Sequence, residues 1–410
     1  MNILFIATFI PYPPSYGGSY QRTFNIIKHL AKENNIFLIG FVKKKNMPED
    51  IDALKKICSK VVALYTSDDW SVLSLAKHLF LNLFSPLPYT VQKYYSRKVK
   101  RVIEGILKET KIDILHLDAP DLAGYMEDYP ELPSVLVNHN VESILMKGYA
   151  RQTRNIPKKL YFYLQGIKMR LYEKRMLPEA DACIAVSDDD GERLKAIAPK
   201  ANISIVPNGV DTGYFCPKEG SVDENNMIFI GSMDYYPNLD ATIFFCKKIL
   251  PLIKKEVREA KMIVIGAPKP KQLLGIKDVE VLGFIEDVRP YIQRAGVYIA
   301  PLRIGSGTRL KILEALACGK AIVSTSIGCE GLAVTHYKDI LIADRPEDFA
   351  KAVITLMKEK GLREKLGKEG RRLVEERYDW GGIVQVMKEV YKNVADDSTG
   401  RDRSGNEGGV

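Results

Sequence analysis

The sequence predicts two α/β halves, each a parallel sheet with helices on both faces. Three observations lead there. Short apolar runs alternate with longer amphipathic stretches along the chain, which is the signature of repeated strand–crossover–strand units. The alternation starts afresh after a segment holding Pro207, Gly209, Gly213 and Pro217. The chain has 410 residues, more than one ordinary domain uses and enough for two cores.

In the first half, strands are expected at Ile3–Phe9, Ile36–Val42, Val61–Tyr65, Ile112–Leu117, Val135–Asn138 and Ala182–Ser187. A loop, Pro11–Ser19, and a helix from about Tyr20 to Asn34 follow the first strand. In the second half, strands are expected at Met227–Ile230, Met262–Ile265, Val279–Leu282, Val297–Ala300 and Ala321–Ser324. Helices fall near Leu239–Lys255, Val288–Ala295, Arg309–Cys318 and Pro346–Lys358. The expected units are residues 1–205, residues 206–378, and a C-terminal helix at 379–395 that crosses back to the first. Residues 396–410, rich in Gly, Ser, Asp and Arg, read as a disordered tail. Two such sheets on a short linker predict a cleft, and ligands gather at the C-terminal ends of parallel strands.

Composition narrows the class. Hydrophobic residues make up 46% and charged residues 27%, as in soluble globular chains. No run approaches the roughly 18 apolar residues of a membrane span, and the N-terminus lacks the basic start of a signal peptide. A cytoplasmic protein is therefore expected. The six cysteines form no C-x-x-C pair and read as buried free thiols.

The net charge of +9 is concentrated. Between Met146 and Arg175 stand nine Lys or Arg residues and one acid, Glu173, interleaved with Tyr149, Tyr161, Phe162, Tyr163 and Tyr172. That mixture suits an anionic partner, such as a membrane face or a lipid-linked diphosphate; a solvated helix face is the plain alternative. Residues 74–88 are apolar with few charges. They suit either a buried helix or a contact with a membrane interface. No nucleic-acid partner is expected.

The most informative stretch runs from Val297 to Thr325: a strand, a loop Gly305-Ser306-Gly307-Thr308, a helix and a second strand. Gly305 and Gly307 allow a tight turn and close approach of a ligand. The N–H groups of Gly307, Thr308 and Arg309 would face a phosphate at the helix start. Arg309 and Lys311 add full charges for a diphosphate leaving group. Glu314 sits where a carboxylate can accept both hydroxyls of a ribose, or can pair with Lys311 three residues away. Asp188-Asp-Asp190 is explained by a helix start, so no metal site is expected.

Four stretches together resemble glycosyltransferase family 4, the retaining group built on the GT-B plan of two Rossmann-like domains facing across a cleft. They are Tyr12–Ser19, Val206–Phe215, Val281–Val288 and Pro301–Thr325. Within that family the chain is most similar to sugar transferases of bacterial exopolysaccharide assembly. The resemblance implies a nucleotide-diphosphate-sugar donor, a glycan or lipid-linked acceptor, and no metal or other cofactor. It implies that Glu314 holds the donor ribose and that Gly17 and Gly18 approach the diphosphate. It implies that His139 lies near the transferred sugar, with Gly283 and Phe284 beside the base. Two positions depart from the family pattern. Ser306 stands where the first glutamate of the paired motif belongs. The turn starting at Gly231 carries neither of the usual cations, which leaves the diphosphate to Arg309 and Lys311. Two other readings stay open: a non-catalytic nucleotide- or glycan-binding homologue, and an epimerase of the same fold. The first is suggested by Ser306; the second would convert donor without acceptor.

Overall fold

A computed structural model of the chain describes residues 1–43, 48–65, 72–153, 155–304 and 310–404. Thirteen strands are named here in chain order among those residues. The first seven are β1 (Asn2–Ala7), β2 (Asn35–Val42), β3 (Lys60–Tyr65), β4 (Ile114–Leu117), β5 (Ser134–Asn138), β6 (Ala182–Ala185) and β7 (Ile203–Ile205). The other six are β8 (Asp223–Ile230), β9 (Lys261–Ile265), β10 (Val279–Gly283), β11 (Ala295–Ala300), β12 (Ile322–Ser324) and β13 (Leu341–Ile342).

They form two all-parallel sheets, ordered β3-β2-β1-β4-β5-β6-β7 and β10-β9-β8-β11-β12-β13. Each sheet belongs to its own compact unit. One comprises residues 1–206 together with 384 onward, and the other comprises residues 207–383.

Both faces of each sheet are covered, as parallel sheets require. In β8, Met227 and Phe229 pack into one apolar cluster while Ile228 and Ile230 pack into the other, the period-two alternation of a strand buried on both sides. In the first sheet, Leu4, Ile6, Leu115 and Leu117 share one core. The opposite side of β1 and β4 carries Phe5 and His116, whose rings stack with centroids 3.9 Å apart.

The final helix, Trp380–Ser404, runs further than the sequence suggests, so residues 396–404 are helical rather than disordered. Ile383, Val384, Met387, Val390, Tyr391 and Val394 are buried. Once anchored by that face, a helix extends at one hydrogen bond per added residue. Trp380 is buried and lies against Gly209, where a Cβ would fall 2.7 Å from its ring. The cysteines are free, and all but the half-buried Cys216 are buried.

Candidate functional site

Each sheet reverses its strand order once, between β1 and β4 in the first and between β8 and β11 in the second. Loops leaving adjacent strands in opposite directions open a crevice there, beyond the C-terminal strand ends. Most of the candidate residues lie at those ends.

In the first unit, β4 runs directly into Asp118 and β5 into His139. Asp118 is fully buried, and its Oδ1 faces two imidazoles: Nε2 of His139 at 3.3 Å and Nε2 of His116 at 3.5 Å. Its Oδ2 accepts from the Thr23 hydroxyl at 2.6 Å. Burial alone would raise the Asp118 pKa. The charge of His139 and the hydrogen bonds from both imidazoles outweigh it and hold the carboxyl well below the usual range. Asp118 is therefore a buried anion.

Behind it, His116 Nδ1 lies 2.6 Å from the Tyr391 hydroxyl of the final helix. Burial lowers the His116 pKa and raises that of Tyr391. A neutral His116 accepting from Tyr391 at Nδ1 presents its Nε2–H to Asp118. Asp118 in turn fixes the ring of His139, the one member with an exposed edge, its side chain 15% exposed. His116 has a partner on each side, Tyr391 and Asp118. It is the second layer of a Tyr391–His116–Asp118–His139 chain.

The helix Gly18–Leu30 supplies Thr23 and also Arg22, whose Nη2 donates to the Val206 carbonyl at 2.9 Å. Gly17 caps this helix, and a Cβ there would meet nothing within 4 Å. The Gly17–Gly18 turn is thus open to close approach.

In the second unit, three glycines meet at neighbouring strand ends. Gly231 N–H donates to Ile265 O at 2.9 Å and Gly266 N–H to Gly283 O at 2.8 Å. A Cβ on Gly266 would fall 1.8 Å from Gly231 O, and Gly283 has φ +83°. Neither position suits another residue. Phe284 follows directly, 58% exposed, a flat apolar surface beside that turn.

The helix Leu310–Ala317 follows β11 and carries Lys311 and Glu314. The Lys311 ammonium contacts both carboxylate oxygens of Glu314, at 2.9 and 3.0 Å. Glu314 is buried and Lys311 is 41% exposed. Of the two alternatives for Glu314, the i, i+3 pair is formed, and the lysine holding it reaches solvent. Gly305, Ser306, Gly307, Thr308 and Arg309 lie outside the described residues. Arg303, just past β11, is a cation that sequence reasoning passed over. It pairs with Asp240 through Nη2–Oδ1 at 2.6 Å and Nε–Oδ2 at 3.0 Å and lies 4.2 Å over the Phe244 ring.

The acids after β6 have structural work. Ser187 caps their helix by accepting from Asp190 N–H, and Asp190 pairs with Arg193 at 3.2 Å. Among the described residues no cluster of His, Cys, Asp or Glu could hold a metal. Two hollows of the second unit, about 350 and 320 Å³, include none of the candidate residues. The larger borders Glu224 and Gly296, at the opposite strand ends.

Comparison with known proteins follows the two units. Residues 62–214 match the model described as Glycosyltransferase Family 4. Residues 224–359 match that described as Glycosyl transferases group 1. A 44.6 kDa protein in the cps region of Klebsiella pneumoniae is 22% identical over 95% of this chain and 99% of its own. A phosphatidyl-myo-inositol mannosyltransferase of Mycobacterium tuberculosis is 23% identical over 76% of this chain and 82% of its own. Among solved structures, sucrose-phosphate synthase from Thermosynechococcus elongatus superposes with a TM-score of 0.70 at 16% identity, over 96% of this chain and 99% of its own. HepE of Anabaena, in complex with UDP and glucose, gives 0.66 at 13%, over the same shares. These likenesses establish the GT-B fold.

Proposed function

This chain belongs to glycosyltransferase family 4 and is a glycosyltransferase; we propose that it moves a sugar from a nucleotide-diphosphate donor to a glycan or lipid-linked acceptor, with retention and without a catalytic metal. The setting is the assembly of bacterial polysaccharide or glycolipid. The cps-region relative supports that setting, and the lipid in the mannosyltransferase's name supports the acceptor class.

The observation that carries the proposal is the Lys311–Glu314 pair at the head of the helix after β11. An ammonium clamped on a buried carboxylate is a fixed cation for a departing diphosphate. The carboxylate, already desolvated, accepts the ribose hydroxyls. Phe284 and the glycine turn at Gly283 take the base, and Gly231 lets phosphate approach the backbone. By the family resemblance, Ser306 and Arg309 serve the donor, and Gly17 and Gly18 serve the diphosphate. His139, oriented by Asp118, contacts the sugar.

Retention follows from departure and attack on one face. The bond from the anomeric carbon to the diphosphate oxygen breaks, and the bond to the acceptor oxygen forms. The acceptor's proton passes to the leaving oxygen. Cations at the diphosphate stabilise the charge that develops there, so the step needs no Mg²⁺.

A turnover assay of nucleoside diphosphate release tests this, run with and without a panel of glycan and polyprenyl acceptors in EDTA. Acceptor-dependent release supports transfer. Donor conversion without acceptor would mark an epimerase, and binding without turnover a non-catalytic homologue.

A further inference from the structure

The long helix Ile156–Met176 is apolar on two sides. Its inner face buries Met169, Tyr172 and Met176. Its outer face carries Ile156, Leu160, Tyr163, Ile167 and Leu171, exposed by 69, 64, 54, 41 and 63%. These positions recur every three or four residues, so they form one stripe along the helix. Lys159, Arg170 and Lys174 are exposed on the same side. Soluble surfaces rarely carry a continuous apolar strip with no purpose.

A second apolar strip is fastened to this helix. At the end of the helix Val72–Asn82, Asn82 is buried and clasped from the long helix. Gln165 Nε2 donates to its side-chain oxygen at 2.7 Å, and Lys168 Nζ donates to its backbone carbonyl at 2.5 Å. Its own amide donates to Leu87 O at 3.0 Å and to Gln92 Oε1 at 2.8 Å. With the turn fixed in this way, Phe80, Leu81, Leu83 and Phe84 remain 60, 53, 40 and 77% exposed. The sequence left residues 74–88 open between a buried helix and a membrane contact; Leu75, Phe80, Leu81, Leu83 and Phe84 stand in water, while Leu87 packs on the core.

We infer that these two strips form a docking surface for an anionic lipid bilayer, a contact that deepens and rests on the acceptor half of the proposed function. Aliphatic and aromatic side chains enter the headgroup boundary, while lysine and arginine reach the phosphates beside them. The charge decides against a second copy of the chain. Nine cations against one acid across 146–175 would repel the same strip, and interface cores are poor in lysine. No helix among the described residues is long and apolar enough to cross a membrane, so the contact lies in the plane of the interface.

Vesicle flotation tests this, using the full chain without nucleotide sugar. One set of vesicles is phosphatidylglycerol mixed with phosphatidylcholine, the other phosphatidylcholine alone. Binding to the anionic vesicles is expected, at least tenfold weaker on phosphatidylcholine. Both L160S/L171S and F80S/F84S should weaken it at least tenfold, with melting temperature and release of nucleoside diphosphate to a soluble acceptor unchanged. Binding that ignores lipid charge, or that survives both double variants, overturns the inference. So does a concentration-dependent dimer, seen by light scattering, that those substitutions abolish. Loss of transfer with vesicle binding intact would instead count against the proposed function.

Discussion

Replacing Asp118 with asparagine keeps the shape of the side chain and removes its charge. Asp118 accepts from Thr23 at 2.6 Å and faces the imidazoles of His139 at 3.3 Å and His116 at 3.5 Å. A hydrogen bond to a charged group contributes about 1.5–3 kcal/mol against about 0.5–1.5 for a neutral one. The short Thr23 bond should lose about 1–1.5 kcal/mol, and the two longer imidazole contacts about as much together. The sum is about 2–3 kcal/mol, which lowers the melting temperature by about 5–10 °C for a unit of this size. About half passes through His139, and 1.4 kcal/mol is tenfold in rate. D118N should therefore reduce kcat roughly tenfold with donor KM nearly unchanged.

A purely structural role would produce the thermal loss too, so the deciding assay is a double-mutant cycle with His139→Ala. If Asp118 acts by holding His139, D118N should change kcat by less than about twofold once His139 is gone. The same tenfold loss in both backgrounds, or wild-type kcat for D118N alone, would refute the positioning role.

Three further expectations come from the same geometry. Glu314→Ala should lower kcat/KM by roughly 100-fold, the worth of charged hydrogen bonds to a ribose. Its melting temperature should change little, because the half-exposed Lys311 can turn to water; near-normal turnover would remove Glu314 from the donor site. Gly266→Ala should cost about 2–4 kcal/mol by denaturant titration, since its Cβ would fall 1.8 Å from Gly231 O; wild-type stability would mean these strand ends are not so close. Glu142 has its pKa pushed up to about 8 by burial and by the neighbouring acids Asp121 and Glu173. The folded state thus keeps a proton that the unfolded chain loses above about pH 4.3. Stability from this group is present at low pH and falls as pH rises toward 8. Glu142→Gln should flatten that decline in a melting series from pH 5 to 9, and parallel curves would refute it.

The parallel sheets were legible because β1, β2, β4, β5, β6 and β11 are nearly continuous apolar runs, the mark of strands buried on both faces. β7 and β13 were not, with three and two residues, too short for any period to show. The helix Lys360–Arg377 also escaped notice. Its Gly367 and Gly370 resemble loop residues, yet a Cβ on Gly367 would fall 2.1 Å from Gly319 O. Those glycines serve close packing rather than a turn. At the site, the Lys311–Glu314 pair was readable because helical spacing alone brings the two together. The Tyr391–His116–Asp118–His139 chain was not, since Tyr391 and His116 are 275 residues apart and only the fold makes them neighbours. One signal was available: Asp118 is a carboxylate immediately after a buried strand, beside a sheet's switch point.

The central claim is that this chain binds a nucleotide-sugar donor through protein cations alone. A thermal-shift panel of UDP, GDP, ADP, CMP and their common sugar conjugates, with and without EDTA, tests it most directly. A rise in melting temperature selective for one nucleoside diphosphate and its sugars, unchanged by EDTA and lost in Glu314→Ala, is predicted. No shift with any of them, or a shift that EDTA abolishes, would contradict it.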